Sequence, residues 1–402
     1  MKPRAIVAAV AVLLAVGSCL GLIGGAAAQQ KIVKIGISMA ITGADADSFN
    51  AMLNGAQMAI DDVNAKGGAG GYKFEAVVYD SATPTAGQYD PAQAVVNYKK
   101  FLADNLVVAA VGASSGEGKA ISPVLSEADM ANITPASTNP DITDPKFMNQ
   151  YRPRGKAVYF RTVTTDAYQG PYMANYALQT LKMQSVYVLD DGSAFGVGIA
   201  DAFEKRAKEL GIKVLGRERI EPKEPDYRTI LTKIRGLNPD AVYYGGIMQA
   251  ATKLARQAYE TIPQIVKLGS DGIFDYAFSE QSGKKAAEGW YATVASPDML
   301  TDPAALDWTN RFKSRFNRDA TNYAITAYDA VLVIADAVGR VVESGKPVTR
   351  SNVRDAIQAT TLTNTLQGPI AFDENGDLKA KVISVYQMKD GKFVYEGRAP
   401  EK

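Results

Sequence analysis

Short apolar runs alternate with amphipathic helical stretches along most of this chain, and that alternation limits it to an α/β architecture. The first run is Lys31-Ile-Val-Lys-Ile-Gly-Ile-Ser38. A helix is expected over 51–65, where Met52, Leu53, Ala56, Ile60 and Val63 recur at helical spacing before Gly67-Gly68 stops it. A strand at 74–79, a helix at 91–102 and a nearly continuous apolar strand at 106–112 follow, then a helix at 119–128 and a short strand at Ile133. Apolar runs without polar alternation suit strands buried on both faces of a parallel sheet.

A second set begins after Val158: strands at 185–189, 213–215, 241–244 and 265–268, with helices at 199–210, 227–234 and 251–259 between them. Two βα sets predict two doubly wound halves. The last third is helical (303–316, 323–342, 351–359) and ends in hairpin signals at Glu374-Asn375-Gly376-Asp377 and Asp390-Gly391.

Ahead of the first strand, Lys2 and Arg4 precede an apolar run from Ala5 to Val16, and Ala26-Ala27-Ala28 supplies a small-x-small ending. This reads as a signal peptide over residues 1–28, with export to the periplasm and Gln29 as the new N-terminus. Val16-Gly17-Ser18-Cys19 offers a competing lipid-attachment site at Cys19, although the apolar residues after it make a poor tether. An uncleaved anchor is a third reading.

Basic and acidic residues balance at 44 and 43, so no nucleic-acid or membrane-surface partner is expected. Histidine is absent and Cys19 is the only cysteine. Beyond the leader there is therefore no disulfide, no Cys nucleophile, no His base and no His or Cys metal site. Hydrolases and metalloenzymes are disfavoured, no cofactor is expected, and no enzyme activity is assigned.

Several landmarks occur in one order along the chain: Asn54-Gly55-Ala56 with Ile60-Asp61-Asp62-Val63-Asn64; Thr134-Pro135-Ala136-Ser137-Thr138-Asn139-Pro140; Asp166 with Gln169-Gly170-Pro171; Asp190-Asp191 with Phe195-Gly196; Asp240-Ala-Val-Tyr-Tyr-Gly-Gly246; and Phe372-Asp373-Glu374-Asn375-Gly376-Asp377. In these the chain resembles the periplasmic leucine/isoleucine/valine-binding family, the type I solute-binding proteins of ABC importers. The resemblance implies two Rossmann-like lobes with parallel-sheet cores joined by three crossovers. Lobe one would take 30–165 and 295–371, lobe two 166–294 and 372–402, and a monomer is implied.

It also implies a ligand cradle. A ligand carboxylate would meet Ser115, Ala136 and Thr138, and Asp271 would face the ligand ammonium from lobe two. Asp271 stands where the family's leucine binder has Glu, so the anchor is one bond shorter. Ile247 and Met248 replace a pocket Tyr, Phe195 replaces another, and Ser48 or Phe49 occupies a third Tyr position. Tyr323 is a candidate wall, and Tyr168 a candidate replacement phenol. Fewer phenols suggest an apolar, adaptable pocket. The segment 144–159 has no counterpart of that length in the leucine binder. Its Lys146, Arg152, Arg154 and Lys156 read as a solvated loop, or more sharply as a second anion contact or a docking face.

Plainer readings stand beside these. Ser115 also reads as a helix cap, Asp271-Gly272 and Thr138 as turn residues, and Phe195 as core. Ala113-Ser-Ser-Gly-Glu-Gly118-Lys119 lacks the first Gly and final Ser/Thr of a phosphate loop. The expected function is capture of a branched-chain or other hydrophobic amino acid and delivery to an ABC permease. The alternatives are a binder of aromatic or other hydrophobic carboxylates lacking an amine, and a ligand-sensing subunit for a membrane receptor.

Overall fold

The sequence alternation appears in a computed structural model as two separate parallel-core sheets. The structure describes residues 30–112 and 114–402. The leader, its cleavage site and Cys19 lie outside the described residues, as does Ala113. Residues 32–402 form one compact unit. Among the described residues no helix is long and apolar enough to cross a membrane.

The first half runs β1 (Lys31–Met39), α1 (Ala46–Ala65), β2 (Tyr72–Asp80), α2 (Pro91–Ala103), β3 (Val107–Gly112), α3 (Ser115–Glu127), β4 (Ala131–Thr134), α4 (Met148–Tyr151) and β5 (Tyr159–Arg161). Its five strands pair in the order β2-β1-β3-β4-β5, and β1–β3, β3–β4 and β4–β5 are parallel. Every residue of β3 is buried, as its unbroken apolar run requires.

The second half runs α5 (Asp166–Gln179), β6 (Ser185–Asp190), α6 (Ala194–Glu209), β7 (Lys213–Arg219), α7 (Arg228–Leu237), β8 (Ala241–Gly245), α8 (Met248–Thr261), β9 (Val266–Gly269), α9 (Ala277–Ser282), α10 (Lys284–Ala287) and β10 (Tyr291–Val294). There follow α11 (Leu306–Phe316), α12 (Asn322–Glu343), α13 (Arg350–Gln358), the two-residue strands β11 (Thr361–Leu362) and β12 (Ile370–Ala371), β13 (Ser384–Lys389) and β14 (Lys392–Arg398). The second sheet has the order β14-β13-β10-β9-β8-β6-β7. Its final hairpin joins antiparallel at β10. The C-terminal strands thus extend a parallel sheet by an antiparallel edge.

Local chemistry sets the ends of these elements. Asp90 caps α2 by accepting from the Ala92 and Gln93 amides at 2.8 and 3.4 Å, with Pro91 in the first turn. Thr321 caps α12 through the Ala324 amide at 3.1 Å. α12 is buried along most of its length and packs against α1. It therefore belongs with the first sheet despite its place late in the chain.

The segment 144–159 is not a free cationic loop. Arg152 is buried and donates to the Thr143 carbonyl and to Asn375 Oδ1. Arg154 and Lys156 are exposed and pair with Glu127 at 3.1 Å and Asp355 at 3.6 Å. Lys146 lies over the Phe147 ring. None of the four lines the cleft described below, so the second-anion reading fails.

Candidate functional site

A cleft enclosing about 600 Å³, its open mouth included, lies where the βα turns of the two sheets meet. Ligand sites in open α/β sheets occupy this carboxyl edge because strand ends there release the chain into loops and helix N-termini. Asp45, Ser48, Phe49 and Met52 enter from the turn after β1 and the start of α1. Tyr89 precedes α2, Ser114 and Ser115 open α3, and Ala136 follows β4. From the second sheet come Phe195, Ile247, Met248, Asp271, Gly272, Phe274 and Asp275, and Tyr323 arrives from the first turn of α12.

The structure thus brings Ser48, Ser115, Ala136, Phe195, Ile247, Met248, Asp271 and Tyr323 to one lining. Two expected residues are not in it. Thr138 is fully buried outside the lining, its carbonyl accepting the Asp166 amide at 2.8 Å and its hydroxyl without a hydrogen-bond partner among the described residues. Tyr168 sits outside, edge-on to Tyr172 at 6.0 Å with the Lys381 ammonium 5.3 Å over its ring. Tyr89 supplies an additional phenol in the lining instead. Asp45, Met52, Ser114, Phe274 and Asp275 were also not singled out from sequence.

The anionic end of the cradle rests on α3. Ser114 is its N-cap residue, and the Glu117 carboxylate accepts the Ser114 amide at 2.6 Å. The capping role therefore falls one residue before Ser115. Ser115 Oγ instead accepts the Asn139 amide and the Ser137 hydroxyl, both at 3.3 Å. Free N–H groups at such a helix start suit a carboxylate.

Arg161 fixes the loop that carries Ala136. It is fully buried, pairs with Asp377 at 2.7 Å, and donates to the Ser137 and Asn139 carbonyls and to Thr143 Oγ1. A buried guanidinium needs this many acceptors to offset its desolvation. Asn139 Nδ2 then reaches across the cleft to the Ala194 carbonyl at 2.9 Å.

Asp271 stands on the opposite wall and is 7% exposed. Gln169 Nε2 donates to its Oδ1 at 2.7 Å, and the Tyr323 hydroxyl donates to its Oδ2. Each oxygen keeps a lone pair for a further donor. Burial pushes its pKa up to about 6, against the pull of Tyr323 and Gln169. Asp166 behind it is held well above the usual carboxylate range by burial, then by the Asp271 charge. The close turn after Asp271 requires glycine: a Cβ at Gly272 would lie 2.2 Å from the Gly246 carbonyl oxygen.

Asp191 ties the two helix starts of this wall together. Its Oδ2 accepts the Ile247 amide at 2.9 Å, and its Oδ1 accepts the Ser193 hydroxyl at 2.6 Å. Phe195, Ile247 and Met248 are thereby held at the cleft as an apolar face. Among the described residues no group of three His, Cys, Asp or Glu side chains is arranged to hold a metal ion.

The chain is similar in sequence and fold to known proteins. The family model described as "Periplasmic binding protein" matches residues 32–392. A Leu/Ile/Val-binding protein homolog of Brucella melitensis is 29% identical over 372 residues, 92% of this chain and 95% of its own. A leucine-specific-binding protein of Salmonella typhimurium is 30% identical over 360 residues, 90% of this chain and 92% of its own. The crystal structure of a leucine-binding protein from Thermotoga maritima superposes with a TM-score of 0.80 at 26% identity, covering 91% of this chain and 98% of that one. The chain belongs to the periplasmic binding protein family, in the branch whose curated relatives are named as leucine, isoleucine and valine binders.

Proposed function

We propose that the protein captures an α-amino acid in this cleft and delivers it to an ABC permease. The observation that carries this reading is the pairing, in one lining, of the α3 start at Ser114 and Ser115 with the buried Asp271 carboxylate. A zwitterion complements both: its carboxylate meets free N–H groups and its ammonium meets Asp271. Phe49, Met52, Phe195, Ile247, Met248 and Phe274 form a wall suited to an aliphatic or other hydrophobic side chain. The names of the relatives agree with such side chains.

The working unit in this reading is an exported monomer freed of residues 1–28, with lobes at 30–165 plus 295–371 and at 166–294 plus 372–402. In support, the first sheet uses strands up to Arg161, and the second uses strands from Ser185 to Val294 and from Ser384 onward. Hinge closure about the crossovers traps the ligand, and the closed form is what the permease takes. Binding suffices; no bond is made or broken.

A second reading, a carboxylate lacking an amine, draws on one observation: both Asp271 oxygens already receive a donor, from Gln169 and Tyr323. Asp271→Ala separates the two. It should weaken α-amino acids at least about tenfold, the scale of a lost charged hydrogen bond, and leave amine-free carboxylates nearly unchanged. Amino-acid affinity that survives this change in titration calorimetry removes Asp271 as the anchor.

A further inference from the structure

Among the described residues three carboxylates line the cleft, Asp45, Asp271 and Asp275, and no lysine or arginine does. A zwitterionic ligand with a plain aliphatic side chain answers only one of them. Its ammonium meets Asp271, and its own carboxylate takes the α3 start. Asp45 and Asp275 are left, one from each side of the cleft and each 5% exposed.

These two are not spent on structure alike. Asp275 Oδ1 accepts the Ala277 amide at 2.7 Å, just ahead of α9. Asp45 Oδ2 has no hydrogen-bond partner among the described residues. An unpartnered buried carboxylate oxygen costs free energy unless a donor reaches it. The charged groups around the pair are mostly of the same sign. Asp275 and then Asp191 weigh most on Asp45, with Glu117 beyond them and the Met248 amide as the offsetting donor. Asp47 and Arg318 stand next to Asp275, but Arg318 pairs with Asp47 at 3.0 Å. A metal ion is a poor occupant, since no three His, Cys, Asp or Glu side chains are grouped to hold one among the described residues.

We infer that the space between Asp45 and Asp275 receives a cationic nitrogen at the end of the ligand's side chain, so that the preferred ligand is a basic α-amino acid. An ammonium or guanidinium presents several N–H donors, satisfies Asp45 Oδ2 and answers the unpaired charge. Phe49, Met52, Met248 and Phe274 sheathe the methylene stem that leads to it, as apolar walls do for lysine and arginine side chains elsewhere. Burial, then the charge of a neighbouring carboxylate for Asp45, raises both Asp45 and Asp275 to about 7. A cation bound between them favours their ionised forms, so binding near neutrality releases protons.

This inference rests on the amino-acid reading above, and one set of titrations separates the two. The purified protein, unfolded and refolded to strip carried-over ligand, is titrated with lysine, arginine, glutamine, leucine and the amine-free acid 4-methylpentanoate. The expected result is tightest binding of lysine or arginine, with proton release seen as a buffer-dependent heat. Asp45→Asn should then weaken the basic ligand about tenfold or more, and by a clearly larger factor than it changes leucine. Leucine binding with no response to lysine or arginine overturns the distal cation site and leaves the amino-acid cradle standing. Glutamine outranking both basic ligands overturns it too, in favour of a neutral donor. Binding of the methylpentanoate alone overturns the cradle itself. An Asp45→Asn protein that loses leucine and lysine equally reports structural damage at the β1–α1 turn and also overturns the assignment.

Discussion

At Ser115 a helix cap and a ligand contact make opposite demands on a single substitution. Because Ser114 is the N-cap residue and Glu117 holds its amide, the Ser115 hydroxyl contributes to the fold only through two long bonds, to Ser137 and Asn139. Ser115→Ala is therefore expected to cost no more than about 1 kcal/mol of stability. The same change removes a donor from the carboxylate end of the cradle and should weaken amino-acid binding about tenfold. Urea melts and calorimetry on one sample decide it: intact affinity with lowered stability would leave Ser115 a helix residue only. Thr138 teaches the converse. Its place in Thr134-Pro-Ala-Ser-Thr138-Asn-Pro is a turn by chemistry, but its burial away from the cleft is tied to Asp166, whose amide its carbonyl accepts and which is 28 positions later in sequence. Asp45 was illegible for a similar reason. It lies six residues ahead of the helix expected at 51–65, and as the N-cap residue of α1 it makes no side-chain cap bond, so only the opposing wall makes it a buried acid.

Among the elements, α1 and α12 approach each other closely. A Cβ on Gly55 would lie 2.0 Å from the Ala324 carbonyl oxygen, a backbone atom that cannot rotate away. Alanine gains up to about 1 kcal/mol of helix propensity there. Overpacking a tight interface costs about 1–3 kcal/mol, so the clash wins. Gly55→Ala should lower the denaturation midpoint at unchanged m-value, by about 1–2 kcal/mol in net stability. It should also loosen the Tyr323 contact to Asp271, because Tyr323 is one residue from the clash. A midpoint that rises would mean the helices part freely. The elements themselves were largely legible, since long apolar periods fix strands such as β3 and helices such as α12. Those missed had weak local signals. α5 carries Gly170-Pro171 inside it, which reads as a break. β10 is four residues long, too short to show a period. Arg161 gave a signal that went unused: a lone cation in an apolar stretch, Val158-Tyr-Phe-Arg161, is buried only if acceptors surround it.

Over the whole molecule the buried acids set an unusual pH response. Burial raises Asp45, Asp275 and Asp329 to about 7 and Asp271 and Glu117 to about 6, against values near 4 in the unfolded chain. A carboxylate whose pKa is raised by folding binds its proton more tightly in the native state. Its stabilising contribution is complete at low pH and is lost as pH rises through the folded value. These five groups therefore favour the empty protein at pH 5.5 over pH 8. The carboxylates lowered by folding act in another window. Asp104, bonded to Lys34, and Asp240, holding the Gln184 and Ser185 amides, lose their contribution only as pH falls below about 4. The melting temperature of stripped protein should thus climb by several degrees as pH drops from 8 to 5.5. Saturating ligand should flatten that slope, because an ammonium against Asp271 favours its ionised form and withdraws it from the set. Asp329 is not part of the cleft lining and accepts the Leu366 and Gln367 amides, so its share persists with ligand bound. A stripped protein whose melting temperature is flat or falls on acidification over this range would mean that these acids are hydrated and ionised, and the electrostatic account of the cleft would fail with them.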